Sequence, residues 1–358
     1  MILTTAGSSL VLRAGPDALR LLRERGLRAE DVDVLVGASG GPKWLVLRAL
    51  DRFLFGEVLQ APRDRPLHLI GSSIGAWRMA CLARRDPVAA LGRLEEAYLG
   101  QRYEVEPTPR EVTAESLSIL DRVLGEDGAD EILSHPWARL HVVTTACRGP
   151  LASERRTLQM LGLAAAACAN VVSRRTLALQ MSRVIFHSAG DASPFLELDD
   201  MPTTHVALTR GNLRHALLAS GSIPLVLEGV RIPDAPGVLQ RDGGIVDYHL
   251  DLAFGPGDGI VLYPHFFPHV VPGWFDKALG WRRGRPENFR RALIIAPSEA
   301  LVARLPDGRI PDRKDFYRMD TSALLRRWRV AMAESEAMAD ELRELMATGR
   351  VAEVAVPW

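Results

Sequence analysis

Residues 67–85 read LHLIGSSIGAWRMACLARR, and their reading decides the fold. Leu67 to Ile70 form a compact apolar strand. Gly71-Ser-Ser73-Ile-Gly75 is a glycine–serine turn, and the run over 74–84 has the composition of a buried helix. The same grammar occurs earlier in the chain. VDVLVGASGG, 32–41, is a buried-type strand that runs into glycine, and 42–54 follows as an apolar helix with Leu45, Leu47, Leu50, Phe53 and Leu54 on its inner side. Two successive strand–turn–helix units predict a parallel α/β sheet. The expected fold class is therefore α/β, three-layered, with a mostly parallel central sheet and helices on both faces, built as one domain over 1–358.

Outward from this pair, PDALRLLRERG at 16–26 reads as a short helix with proline at its start and Gly26 as its stop. Helices are expected over 87–98, 114–124 and 129–133, and strands over 140–149, 183–188, 204–209, 259–266 and 291–297. A helix from 212 should end near Gly221, and 237–247 reads as a strand or hairpin entering and leaving a tight turn. Leu324, Leu325, Trp328, Met332, Met338, Leu342, Leu345 and Met346 recur near helical period and predict a long closing helix over 322–346 that covers one sheet face. LGLAAAACANVV, 161–172, is too short to span a bilayer and reads as a buried helix whose alanines allow close packing.

The 358 residues suffice for a substantial core, with 47% hydrophobic and 25% charged residues and 44 basic against 44 acidic side chains. That balance argues against a disordered chain, a nucleic-acid-wrapping tail and a strongly steered electrostatic binder. Cys81, Cys147 and Cys168 form no CxxC pair, so neither a zinc knuckle nor a disulfide scaffold is indicated. The start of the chain lacks a basic segment followed by a clean apolar block, so no signal peptide is expected. A cytoplasmic location follows as an expectation, with peripheral contact at a membrane surface left open.

Two turns match GxSxG: Gly37-Ala-Ser39-Gly-Gly41 and Gly71-Ser-Ser73-Ile-Gly75. Between a strand and a helix, small residues around such a serine permit a sharp turn that lifts the hydroxyl above the sheet. Ser73 has the clearer strand before it and the clearer helix after it, and is the better nucleophile. The looser GASGGP segment suits backbone amides aimed at an oxyanion, with Gly40 and Gly41 as donors and Ile74 as a third. The P-loop pattern fails, because Pro42 stands where glycine is required before Lys43, and neither turn contains GxGxxG. A serine needs a base. Asp242, in Asp242-Gly-Gly244, is either presented at a sheet edge or forms a hairpin corner. His249, His265 and His269 follow in the order a Ser–Asp–His triad would use, without a signature that selects one. His68, His141 and His187 lie in apolar strands and read as core. FLELDDMP, with Asp199 and Asp200, reads as a solvated turn rather than a calcium site.

These segments, taken together, resemble the patatin-like phospholipase family. GASGGPKW resembles its glycine-rich oxyanion loop in altered form, with Ser39 among the glycines and Lys43 near the place of the usual basic residue. GSSIG resembles its nucleophile turn, with Gly71 and Gly75 as the flanking glycines. LHVVTTACRGPL resembles a strand-and-turn segment of the family, and LLASGSIPLVLEGV followed by RDGG resembles its A-S-x-A-I-P and D-G-[GA] motifs. The likeness covers roughly 32–250. It implies a patatin-like fold and a Ser73–Asp242 dyad that hydrolyses carboxylic esters through an acyl-enzyme, with Gly40, Gly41 and Ile74 receiving the oxyanion. Ser39 and Lys43 would support the loop or an anionic head group.

No metal or organic cofactor is called for, and the expected partner is a lipid or small-molecule ester, with no nucleic acid. Met79, Leu82, Leu163, Ile223, Leu225, Val226 and Leu227 are candidates for an acyl cleft, although core packing explains each equally well. The aromatic stretch 263–281 is either a lid or lipid-facing edge or a long connection that Trp274 and Trp281 anchor to the body. Two other readings use the same scaffold: an acyltransferase that passes the acyl group to an alcohol or thiol, and a catalytically silent lipid-binding or regulatory protein. Oligomeric state is open.

Overall fold

A computed structural model describes residues 7–102, 106–235 and 237–358; the first six residues, part of the N-terminal stretch read for a leader, lie outside the described residues. Ten strands are described: β1 (Leu10–Ala14), β2 (Val32–Gly37), β3 (Leu67–Ser72), β4 (Ala138–Cys147), β5 (Met181–His187), β6 (Thr203–Ala207), β7 (Leu239–Asp242), β8 (Ile260–Pro264), β9 (Ala292–Pro297) and β10 (Val356–Pro357). They form one sheet in the order β10-β1-β9-β8-β2-β3-β4-β5-β6, with β7 paired to β4 off that path. The sheet is mixed but mostly parallel. The antiparallel pairs are β1 with β9, β4 with β5, and β4 with β7. Helices flank it, giving the expected three-layer α/β arrangement.

β2, β3, β8 and β9 are buried almost throughout, as parallel strands covered on both faces must be. Helix Pro16–Arg25 stops at Gly26, whose φ of 73° is a conformation glycine adopts freely. Helix Pro109–Leu124 starts on a capping box, in which Thr108 and Glu111 bond each other's backbone N–H groups. One large apolar core extends from Leu10 to Val351, and a small second cluster gathers Cys147, Leu151, Leu163, Leu177, Met181 and Ile245.

Several expectations are corrected. The apolar stretch 42–54 is not one α-helix but a 3-10 segment Gly41–Leu47, an α-helix Arg48–Phe53 and a π-turn Leu54–Val58. Pro42 to Leu47 are buried in succession, so packing on all sides outweighs the one-sided pattern of an ordinary helix. The closing helix, Thr321–Ala347, packs chiefly on this segment, with a smaller contact at β1, rather than lying directly over a sheet face. Helix Arg156–Val172 is not buried: Leu161 is 64% and Val172 83% exposed, and only a narrow stripe that includes Gly162, Leu163 and Ala166 faces inward. Stretch 237–247 takes the strand alternative rather than the hairpin: β7 ends at Asp242 and turns into a 3-10 segment Gly243–Ile245. Asp200 is no solvated residue: it takes two hydrogen bonds from the buried Arg183, at 2.7 and 2.9 Å. Among the described residues no group of three metal-ligating side chains occurs, and no helix is long and apolar enough to cross a membrane.

The helix after the second glycine–serine turn, Ile74–Leu82, is held to helix Arg48–Phe53 by a fully buried ion pair. Arg78 Nε and Nη2 each donate to Asp51 at 2.6 Å, in a bidentate fork. Removing one partner strands a charge in the core. Asp51→Ala is expected to cost about 3–5 kcal/mol in urea unfolding, whereas Asp51→Leu combined with Arg78→Met should recover most of that loss.

Candidate functional site

β4 changes partner halfway along one edge. Residues 138–143 pair with β3, Ser72 opposite Val143, while Thr144 to Cys147 pair with β7, Asp242 opposite Thr144. β5 occupies the other edge, so β3 and β7 share the first. The residue after Ser72 and the last residue of β7 are therefore delivered to one point by adjacent positions of a single strand. There Ser73 Oγ donates to Asp242 Oδ2 at 2.8 Å. The other carboxylate oxygen, Oδ1, accepts the Gly244 N–H at 2.6 Å, and Thr145 Oγ1 donates to the Asp242 carbonyl.

Ser73 has φ 56° and ψ −132°, a strained backbone for a residue with a Cβ. Such conformations cost of order 1–3 kcal/mol and persist only where surroundings impose them. Here the Ser73 N–H donates to Ser220 Oγ at 2.8 Å, and Ser220 Oγ donates to Val143 O at 2.7 Å. Trp77 Nε1 donates to Leu217 O, and the Asp242 N–H to Ser222 O. The segment 217–222 thus ties both ends of the serine–aspartate contact to β4. Gly75 is required for close approach, because a Cβ there would lie 1.9 Å from the Gly37 carbonyl oxygen.

The Asp242 carboxyl is buried. Desolvation, offset in part by the hydrogen bonds from Ser73 and Gly244, pushes its pKa up to about 6. A carboxylate at that level is a far better proton acceptor near neutrality than an exposed one. Gly41 begins the 3-10 segment and Ile74 begins helix Ile74–Leu82, so their N–H groups lack intrahelical acceptors. Gly40, Gly41 and Ile74 all border the space above Ser73.

The other glycine–serine turn plays a different part. Ser39 Oγ donates to Ser72 Oγ at 2.9 Å and the Ser39 N–H donates to Tyr248 O, so this serine braces the loop against β3. Lys43 is buried and ion-paired with Asp312, which anchors the loop to the segment before the closing helix. Burial raises the Asp312 carboxyl, but the hydrogen bond and charge of Lys43 outweigh it and hold the pKa at about 2.

No histidine joins the pair. His249 Nδ1 accepts the Val271 N–H, His265 Nδ1 lies against the backbone of Phe267, and burial holds both rings' pKa values down. Of the acyl-cleft candidates, Ile223, Val226 and Leu227 line a cavity of about 590 Å³ beside Ser73, together with Ile74, Trp77 and Ile119. Met79 and Leu82 belong to the main core, and Leu163 and Leu225 to the small cluster. Trp274 packs beside that cluster, whereas Trp281 is 71% exposed.

Sequence reasoning missed Ser220, Ser222 and Thr145, which set the geometry, and Lys277, Arg313 and Asp312, which border the site. Comparison with protein-family models, with curated proteins and with solved structures gives no match.

Ser220→Ala removes both the acceptor of the Ser73 N–H and the donor to Val143. It is expected to cost about 1–3 kcal/mol in chemical denaturation and to speed hydrogen exchange at the Ser73 amide.

Proposed function

We propose that the protein is a serine acyl hydrolase of patatin-like type, acting on carboxylic esters through Ser73 and Asp242. The observation that carries this reading is the 2.8 Å hydrogen bond from a conformationally strained serine to a buried carboxylate, at the border of an apolar cavity.

In this reaction Asp242 Oδ2 takes the proton as Ser73 Oγ bonds to the ester carbonyl carbon. The carbonyl oxygen becomes an anion facing the N–H groups of Gly40, Gly41 and Ile74, fixed donors that need no reorganisation. The carbon–oxygen bond to the alcohol breaks and the departing oxygen takes the proton from Asp242. A water then gives its proton to Asp242 and attacks the acyl carbon. Ser73 Oγ leaves with that proton, and the carboxylic acid is released. One residue serves as base and then acid in each half, so no histidine is needed. Transfer to an alcohol or thiol would use the same acyl-enzyme.

A fluorophosphonate is expected to add once, at Ser73, as read by peptide mass spectrometry. Ser73→Ala should abolish the adduct, and Asp242→Asn, with its fold checked by circular dichroism, should slow it by about 10²–10⁴-fold. Labelling at Ser39, or none in folded protein, would overturn the assignment.

The pH dependence has a defined sign. The base works only when ionised, so the labelling rate should be low in acid and rise with pH, half-maximal at about 6, where burial places the Asp242 carboxyl. A midpoint near 4 would mean that the carboxylate is not shielded as the geometry requires.

A further inference from the structure

Ser73 lies on the border of two cavities that differ in the charge of their lining. The first, about 590 Å³, is the apolar one described above. The second, about 600 Å³, shares Gly41, Ser73, Ile223 and Arg313 with it and is lined by Lys43, Lys277, Arg309, Arg313, Lys314 and Arg318. Only two carboxylates, Asp242 and Asp312, stand among those six cations. The chain has only three lysines among its 44 basic residues, and all three line this one cavity.

The charges do not cancel. Lys43 is neutralised by Asp312, and Arg309 donates to Asp315 at 2.6 Å. Lys277, Arg313, Lys314 and Arg318 have no carboxylate within ion-pair distance among the described residues, although ion pairs are plentiful elsewhere in the chain. Lys277 is the most constrained: its ammonium sits 3.7 Å from the ring centre of Tyr248, whose backbone carbonyl holds Ser39. Burial, with the like charges of Lys43 and Arg313 added, pulls its pKa down to about 7 against the opposing pull of Asp312 and Asp242. An ammonium in such surroundings gains most from a further anion. Lysine is suited to phosphate as a compact point charge and arginine as a planar fork.

Resting on the hydrolase reading, we propose that the second cavity is an anion subsite, and that the substrate is an acyl ester whose alcohol portion carries a phosphate monoester, held by Lys277, Arg313, Lys314 and Arg318 while the acyl chain fills the apolar cavity. A zwitterionic head group suits it less. Such a head brings no net charge to a site that, with Asp242 ionised and Lys277 protonated, retains four unpaired cations against one carboxylate.

The test uses binding, so that it does not depend on turnover. Dodecyl phosphate, dodecylphosphocholine and dodecanol, each below its aggregation limit, are titrated into the full-length protein by calorimetry. Dodecyl phosphate should bind at least about tenfold tighter than either of the others. Raising the salt should weaken the phosphate far more than the alcohol. Lys277→Gln combined with Arg313→Gln should bring the three ligands to within about threefold, and Lys314→Gln, at an exposed position, should lower the preference part of the way. Dodecyl phosphate should also slow fluorophosphonate labelling of Ser73. Sedimentation with phosphatidic acid vesicles would place the phosphate on a membrane lipid, and binding of the monomer alone would place it on a soluble ester; both outcomes uphold the subsite. Equal affinity for the three ligands, or a preference that survives the double substitution, would overturn it. Labelling of Ser73 without phosphate preference removes the subsite alone, whereas phosphate preference without labelling removes the hydrolase reading beneath the proposal.

Discussion

The arrangement at Ser73 depends on one feature of the sheet: β4 is longer than β3. Strand Ala138–Cys147 continues past the end of Leu67–Ser72, and its remaining four residues capture Leu239–Asp242 on the edge that β3 has vacated. Two segments almost 170 residues apart are thereby placed in register by the backbone ladder, not by side-chain contact. A one-residue slip in either pairing would reverse which side chains face the apical space. The antiparallel β4–β7 pairing inside an otherwise mostly parallel sheet is therefore the constraint on which the serine–aspartate distance rests.

Around that register the chain spends small residues and hydroxyls. Gly37 and Gly75 meet so closely that neither admits a Cβ, and Gly243 approaches the Val143 carbonyl as tightly. Ser220 and Thr145 return the hydrogen bonds that the bent chain would otherwise lose. Strain at Ser73 is tolerable because its N–H is tied through Ser220 to Val143 of β4. The lysine–aspartate contact at Lys43 and Asp312 extends the same logic outward, binding the glycine loop to the segment that leads into the closing helix.

The parts legible in the sequence were those with local signatures. Strand Leu67–Ser72, its turn and helix Ile74–Leu82 fell where the apolar run and glycines placed them, as did Val32–Gly37 and helix Pro16–Arg25. Non-local burial was not legible. The alanine-rich run 161–172 has a core composition yet lies at the surface, because only its Gly162–Leu163–Ala166 stripe finds a partner. The stretch 42–54 looks amphipathic but is packed by the closing helix, by helix Ile74–Leu82 and by the helix Pro87–Leu99, with 42–47 buried in succession, so its backbone departs from a regular α-helix. At the site, Ser73, Asp242 and the glycines could be named from motif; Ser220 lay in a quoted motif without an assigned role, and nothing local marks Lys277. A count could have helped: three lysines in an arginine-rich chain are scarce enough for their convergence to carry information.

The chemistry of the base follows from what surrounds it. In the proposed reaction a lone carboxylate must accept a proton from a hydroxyl far less acidic than itself, and burial narrows that gap by raising Asp242 to about 6. Burial alone would raise it further. The Gly244 N–H and the Ser73 hydroxyl, each bonded to a different carboxylate oxygen, hold it where it is ionised at neutrality yet still basic. Arg313 and Lys277 lower it as well from the second cavity. In the proposed complex a phosphate bound there would screen those two cations and raise the carboxyl, moving upward the pH at which the base ionises. On the proposed reading, the charge of the substrate and the basicity of Asp242 would be coupled through Arg313 and Lys277.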